Sequence, residues 1–372
     1  MTFILKCCIV SAWELNGFHF STEKKRGITM TTFTFDAKFV KKILSLVKGM
    51  QVEFGPSGFS VIDGRLRIYT VEMSVPEEIN VISPYKEFKK ALSFCKDTAN
   101  IVYDGQDFTL TNLTGYQAPL VHLTEFEVNG EEDFEVIGTV DAKDFAKGVR
   151  TVCHARANNE YNKALTGVNI SILDKKLYAV ATDTFRMCAS EINADGLGDD
   201  ISITLVDFTE KAFDLFRGQI TLMKSNSYLR INGDENTMTV FLADGLFPCW
   251  KSVLPDARQL HSGFLINRSH LQGELKPYVT KAKRDVVNVE VKNDNCVLQY
   301  RVYNDDFSST GTIGCRTFGE WTSFKVNNNS LNQILSECTS EELTVHVITA
   351  DRAPVLYVQD CENTFMLSGL VK

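Results

Sequence analysis

The sequence predicts an α+β protein made of three similar domains, each with two helices packed on antiparallel sheets. Three observations carry that expectation. Period-two alternation of apolar and polar residues runs on both sides of short polar turns, as in hairpins with one buried face. Helices open at Asp or Asn caps followed by apolar residues at helical spacing. Both patterns return in the same order three times, at a period of roughly a hundred residues. At 372 residues the chain is too long for one ordinary core, so several domains are the prior. A hydrophobic content of 44% and a charged content of 23% are those of a globular protein.

Residues 1–29 read as an N-terminal extension that need not be ordered and has little role in the fold, preceding a natural start at Met30. Phe3–Trp13 is apolar but short, and lacks the basic leader of a signal peptide. Domain 1 is expected over 30–133. Asp36 caps a first helix carrying Val40, Leu44 and Val47, a hairpin turns at Asp63-Gly64, and a second helix runs over Ser83–Lys96. Domain 2 is expected over 134–256. Asp141 caps a helix carrying Phe145, Val149 and Val152, Val168–Ala181 is a hairpin turning at Asp174-Lys175, and Asp207–Arg217 is the second helix. Domain 3 follows over 257–372. Its first helix opens at Asn267 and is cut short by Pro277, a hairpin turns near Asn293-Asp294, and Asn327–Cys338 is the second helix.

The net charge of −8 argues against a nucleic-acid partner until its distribution is considered. The six helix candidates together carry +10, leaving −18 on everything else. Helices sharing one surface would then attract a phosphate backbone without reading bases. Basic residues on solvated helix faces are the commoner case for any single helix.

Catalytic patterns are missing. There is no HExxH, GxSxG, GxxxxGK[ST] or GxGxxG. The six histidines are dispersed, and the ten cysteines include no CxxC pair, which fits reduced, mostly buried thiols of a cytoplasmic protein. Asp183 reads as a turn carboxylate bonding its own backbone. No enzyme activity, metal or cofactor is expected. No apolar run is long enough for a membrane span.

The most informative stretch is Leu165–Met187, which ends by exposing Phe185 and Arg186 at a strand end, a plausible grip for a peptide. Leu165-Thr166-Gly167, Leu177-Tyr178-Ala179-Val180-Ala181-Thr182-Asp183 and Arg186 resemble the middle-domain signature of the bacterial beta sliding clamp, the processivity subunit of DNA polymerase III. Leu246-Phe247-Pro248 with Val253-Leu254-Pro255, and Ala353-Pro354-Val355-Leu356, resemble further signatures of that family. The resemblance covers about Thr31 to Lys372. Several departures mark a divergent member. Thr184-Phe185 stands where the family has Gly and an aromatic or His, Ser252 stands where many members have Arg, and the C-terminus reads Leu367-Ser368-Gly369-Leu370-Val371-Lys372.

The resemblance implies a closed ring of two chains around double-stranded DNA, with helices lining the hole and no sequence reading. It also implies a pocket between domains 2 and 3 that takes short linear motifs of the replicative polymerase and clamp loader. From the second domain its walls would be Leu165, Thr182, Thr184, Phe185, Arg186, Met187, Pro248, Ser252 and Val253. From the third come Asn327, Ser330, Pro354, Val355, Met366, Leu367, Ser368, Gly369 and Leu370. Leu165, Val253 and Leu367 read equally well as plain core. DNA contact is expected from Lys38, Lys41, Lys42, Lys89, Lys90, Lys147, Arg150, Arg156, Lys163 and Arg217. The strand around Tyr116–Leu123 would join the other chain near Tyr278-Val279. The alternative is a clamp-fold adaptor that binds partner peptides without encircling DNA.

Overall fold

The computed structural model describes residues 19–25, 28–64, 66–123, 132–158, 162–279, 288–294, 297–304, 306–321, 323–349 and 353–369. One arrangement is built three times. The first copy runs β1 (His19–Lys25), β2 (Ile28–Asp36), α1 (Ala37–Leu46), β3 (Gln51–Gly55), β4 (Gly58–Asp63), β5 (Leu66–Val71), β6 (Val81–Pro84), α2 (Tyr85–Leu92), β7 (Thr98–Tyr103), β8 (Phe108–Thr111) and β9 (Gln117–Pro119). The second runs β10 (Glu135–Asp141), α3 (Ala142–Cys153), β11 (Val168–Leu173), β12 (Lys176–Thr182), β13 (Arg186–Ile192), β14 (Ala194–Asp195), β15 (Ile201–Val206), a 3-10 turn (Glu210–Leu215), β16 (Gln219–Lys224), β17 (Tyr228–Asn232) and β18 (Asn236–Leu242). The third runs β19 (Gly263–Asn267), α4 (Arg268–Leu275), β20 (Asn288–Asp294), β21 (Val297–Tyr303), β22 (Ser308–Gly314), β23 (Arg316–Phe318), β24 (Ser323–Asn327), α5 (Asn328–Glu337), β25 (Glu342–Ile348), β26 (Val355–Asp360) and β27 (Asn363–Ser368).

Strand pairing repeats with the order. One antiparallel set reads β5-β4-β3-β6, then β13-β12-β11-β15, then β22-β21-β20-β24. The other starts from the strand that feeds the first helix: β2-β7-β8-β9, β10-β16-β17-β18 and β19-β25-β26-β27. The junction of strand and helix is the same each time. Asp36, Asp141 and Asn267 leave their strands in extended conformation and accept backbone N–H groups of the first helical turn. The next amide, of Ala37, Ala142 or Arg268, donates to the carbonyl of Asp97, Gly218 or Glu341 at 2.7–2.9 Å, just ahead of the paired strand. At least two of the four orphan donors of each helix are thereby satisfied by the neighbouring strand and the cap.

By contact the chain divides into two compact units, one of residues up to Asp133 with Ile231–Thr239, the other of Phe134–Arg230 with Val240 onward. The first unit has an aromatic core, in which Phe54 lies 4.8 to 6.0 Å from the ring centroids of Phe33, Phe35, Phe59 and Phe88. In the second, α3 buries Phe145, Val149 and Val152 completely, each stabilising by about 1.5–3 kcal/mol relative to exposure. Phe145 meets Phe213 edge-on at 5.3 Å. The third copy packs Phe264, Trp321 and Phe324 together under α4 and α5.

Some expectations are corrected. Within the expected N-terminal extension, His19–Lys25 is a strand paired with β2 over its whole length; residues 1–18 lie outside the described ones. Ser83–Lys96 narrows to α2, because Pro84 starts the helix and Ser83 before it is held extended. Asp207–Arg217 is a 3-10 turn rather than an α-helix. Asp207 sits at φ 56° and cannot cap, and the buried pair Phe213 and Phe216 is spaced by three, the period of the tighter helix. The helix from Asn267 ends at Leu275 and continues only as a 3-10 turn through Pro277. Residues 280–287, with most of its expected positive charge, lie outside the described ones.

Candidate partner and DNA interfaces

The expected peptide walls converge where β13 meets β27, both in the second compact unit. Arg186 faces Leu367, Met187 faces Met366, and Met366 in turn faces Tyr357 of β26. Thr182 faces Met187 from the other side. The Ser368 N–H donates to the Phe185 carbonyl at 2.7 Å, and Gly369 N–H to the Pro354 carbonyl at 2.7 Å, so the turn before β13 is stitched to the tail. Val355 pairs with Ser368. Met187, Val180, Ala189 and Trp250 form one apolar cluster, against which Phe247, Leu254 and Met366 are packed half-buried. Both methionines adapt their shape readily, which suits a surface that receives several side chains. Phe185 is 71% exposed and Val253 56% exposed, with Pro248 and Ser252 also at the surface.

Other expected walls do something else. Leu367 alternates to the opposite face of β27 and is buried among Phe264, Leu271 and Phe324. Leu165 is buried in the turn Lys163–Thr166. These two have the burial of core residues; Val253 does not. Asn327 spends its side-chain oxygen on the Ser330 N–H at 2.9 Å, capping α5. Leu370 lies outside the described residues. Arg186 is not freely presented. Its guanidinium is bonded to Asp183 at 3.0 Å and to the Gln333 side chain on α5, and only 10% of the side chain is exposed. Asp183 is the turn carboxylate expected, accepting the Phe185 and Arg186 N–H groups at 3.0 and 2.9 Å. Thr184 occupies φ 76° in that turn.

Beneath Arg186 lies an unforeseen polar group. His154, at the end of α3, has Nδ1 2.9 Å from the Thr151 carbonyl, which can only accept, so that nitrogen carries the proton. Its Nε2 is left to accept from the Cys188 thiol at 3.3 Å. Burial, reinforced by the Arg186 charge, pushes the imidazole down to about 4. Burial also pushes the Cys188 thiol well up. Trp250 was missed too, although it lies between Pro248 and Val253 and is an aromatic in an otherwise readable motif.

The basic helix residues divide sharply. Lys38 pairs with Asp97 at 2.6 Å, which raises the lysine's pKa through that hydrogen bond. Lys41 reaches the Cys95 carbonyl, and Lys89 the Leu44 carbonyl at 2.7 Å, so α1 and α2 cap each other's C-terminal ends. Arg150 pairs with Asp214, and Arg156 lies 3.7 Å from Glu210. Arg217 donates to the Asp214 and Phe216 carbonyls at 2.6 and 2.7 Å. Lys42, Lys90, Lys147 and Lys163 are exposed, and their side chains make no ion pair or hydrogen bond among the described residues. In each copy the two helical segments pack side by side: α1 with α2, α3 with the 3-10 turn, α4 with α5. Among the described residues no helix is long and apolar enough to cross a membrane, and no cluster could hold a metal ion.

The fold has counterparts among known proteins. Residues 139–249 match the family model of the DNA polymerase III beta subunit, central domain. No protein of curated function matches the chain by sequence. Among solved structures, a sliding clamp of Bartonella birtlesii superimposes with a TM-score of 0.79 at 17% identity, covering 92% of this chain and 100% of that one. The C. crescentus beta sliding clamp gives 0.78 at 15%, covering 92% and 99%. The DNA polymerase III beta subunit of Thermotoga maritima gives 0.77 at 15%, covering 92% and 100%. At such identities the likeness shows the fold, which is that of a DNA clamp.

Proposed function

We propose that this chain, a divergent member of the bacterial beta sliding clamp family, closes as a two-chain ring around duplex DNA and tethers a replicative polymerase without catalysing a reaction. In this reading the domains are 30–133, 134–256 and 257–372, and β1 belongs to the first. The observation that carries it is a repeated mode of joining. Within the first compact unit β5 pairs with Asn236–Met238 of β18, and within the second β13 pairs with β27. Each time, the strand that is third in chain order in one four-strand set, and at its edge, meets the last strand of the other kind. Among the described residues, β22 and β9 are the strands of those two classes that have no such partner. Two copies placed head to tail satisfy both edges twice and leave none over. Tyr278, which stacks on Phe307 at 5.9 Å and donates to Ser309 at 2.8 Å, stands beside β22 where the second chain would arrive.

Closure gives persistence by topology, so the grip on DNA need only be weak and non-specific, as a few unpaired lysines supply. A polymerase or loader held at the Met187–Met366 patch by a short motif is then kept at high effective concentration near the primer end. Light scattering after size exclusion is expected to give the mass of two chains at micromolar concentration, and loaded protein is expected to stay on circular DNA but run off linear DNA. A single-chain mass with intact peptide binding would favour the adaptor reading instead.

A further inference from the structure

The face of the sheet that carries the methionine patch does not stop there. Side chains on one face form successive rows across four strands. The first row is Thr182, Met187, Met366 and Tyr357; the second is Val180, Ala189, Thr364 and Gln359. The third is Tyr178 with Glu191, whose N–H donates to the Glu362 carbonyl at 2.9 Å. Rows two and three, apart from Val180, form with Tyr357 the floor of an open cavity of about 240 Å³, walled by Trp250, Lys251, Leu254 and Cys361. It adjoins the apolar patch through Ala189 and Trp250, which belong to both.

The chemistry of this cavity differs from that of the patch. Three aromatic rings line it, those of Tyr178, Trp250 and Tyr357. Trp250 is only 6% exposed, and its indole N–H has no acceptor among the described residues. Of the charged groups, Lys251 is engaged by Asp174 at 2.9 Å and Glu191 by Lys176 at 2.8 Å. Glu362, exposed at the rim, has no ion pair among the described residues. The Lys251 ammonium already lies over the Tyr178 and Trp250 rings, 5.2 and 6.0 Å from their centroids, which leaves the Tyr357 ring, the Gln359 amide carbonyl and the unpaired Glu362 carboxylate as the groups that can hold a guanidinium, by stacking and by charge-assisted hydrogen bonds.

We infer that this cavity is a second subsite of the partner-peptide groove and takes an arginine side chain of the same peptide whose apolar residues fill the methionine patch. The inference rests on the peptide reading above. Neighbouring rows are about 7 Å apart, so an extended peptide of about 3.3 Å per residue reaches the cavity two to four residues from its apolar anchor.

The test is fluorescence anisotropy on the full chain with fluorescein-labelled Gly/Ser decapeptides bearing a Leu-Phe anchor. One series places Arg, and a matched series Ala, at two, three or four residues to either side of the anchor. The expected result is about three- to tenfold tighter binding of one Arg peptide than of its Ala match, lost in the Glu362→Gln variant. Equal binding of every Arg and Ala pair, with both still bound, overturns the second subsite and leaves the patch standing. Parallel weakening of both peptides by Glu362→Gln also overturns it. Failure of all peptides, Ala series included, sinks the patch itself and the subsite with it.

Discussion

Thr184 sits at φ 76° in the turn that feeds β13, a left-handed conformation that a β-branched residue adopts at a cost of roughly 1–2 kcal/mol. Glycine has no Cβ to clash there but frees the unfolded chain by about 0.4–1 kcal/mol. Relief of strain outweighs that entropy, so Thr184→Gly is expected to raise the unfolding free energy by roughly 0.5–1 kcal/mol, read from the urea midpoint. His154 makes a prediction with pH. Its pKa falls from 6.5 to about 4 on folding because it is buried, so between those values the unfolded chain binds the extra proton. Stability at this site is fully present above pH 6.5 and is lost progressively on acidification towards pH 4, by on the order of 1–3 kcal/mol. A His154→Gln variant should show a flatter loss of stability between about pH 7 and 5 in denaturant titrations. At this scale the sequence was legible where chemistry is local. The Asp183 turn involves residues two and three positions away, and its role could be read from spacing. The engagement of Arg186 by Gln333 spans 147 residues and leaves no trace in either neighbourhood.

The helices are fixed at their starts. Asp141 accepts the Lys143 and Asp144 N–H groups at 2.8 and 3.4 Å while the Gly218 carbonyl takes Ala142. Asp141→Ala is expected to cost about 1 kcal/mol in a thermal or urea melt, with the helix retained because its apolar face stays buried. Caps and hairpins were readable because each is specified within a few residues. Helix ends and types were not. The 3-10 form of Glu210–Leu215 follows from how Phe213 and Phe216 are received by the core, and Phe145, which packs on Phe213, lies far earlier in the chain. The face of a strand could be read as alternation, yet which face mattered at Leu367 depended on packing against the third copy's core.

For the whole molecule, charge segregation was legible as a sum, whereas which cations have local partners was not. Six of the ten expected DNA contacts, Lys38, Lys41, Lys89, Arg150, Arg156 and Arg217, are already engaged by acidic groups or helix-end carbonyls. Coulombic attraction to phosphate is discounted when a cation has a partner to leave. Replacing Lys42, Lys90, Lys147 and Lys163 by Ala in both chains of the ring is therefore expected to reduce the slope of log affinity against log salt on duplex DNA by up to about seven, nearly one per lysine. Replacing Lys38 and Arg150 should change it by less than about two. Equal effects per residue in nitrocellulose-filter or anisotropy titrations would contradict the division. The threefold pattern was visible from the sequence because its caps and turns recur, whereas the strand joints are relations between distant segments that periodicity cannot register.

The first copy borders its sheet in its own way. In the second and third copies a short returning segment, β14 or β23, lies along the strand that feeds the first helix. In the first copy that place is taken by β1, which precedes the repeat in the chain. A translation product initiated at Met30 would therefore be unhemmed: most of a nine-residue strand would offer its outward amides and carbonyls to any passing chain. The leading segment thus covers an edge that would otherwise stand open to strand exchange.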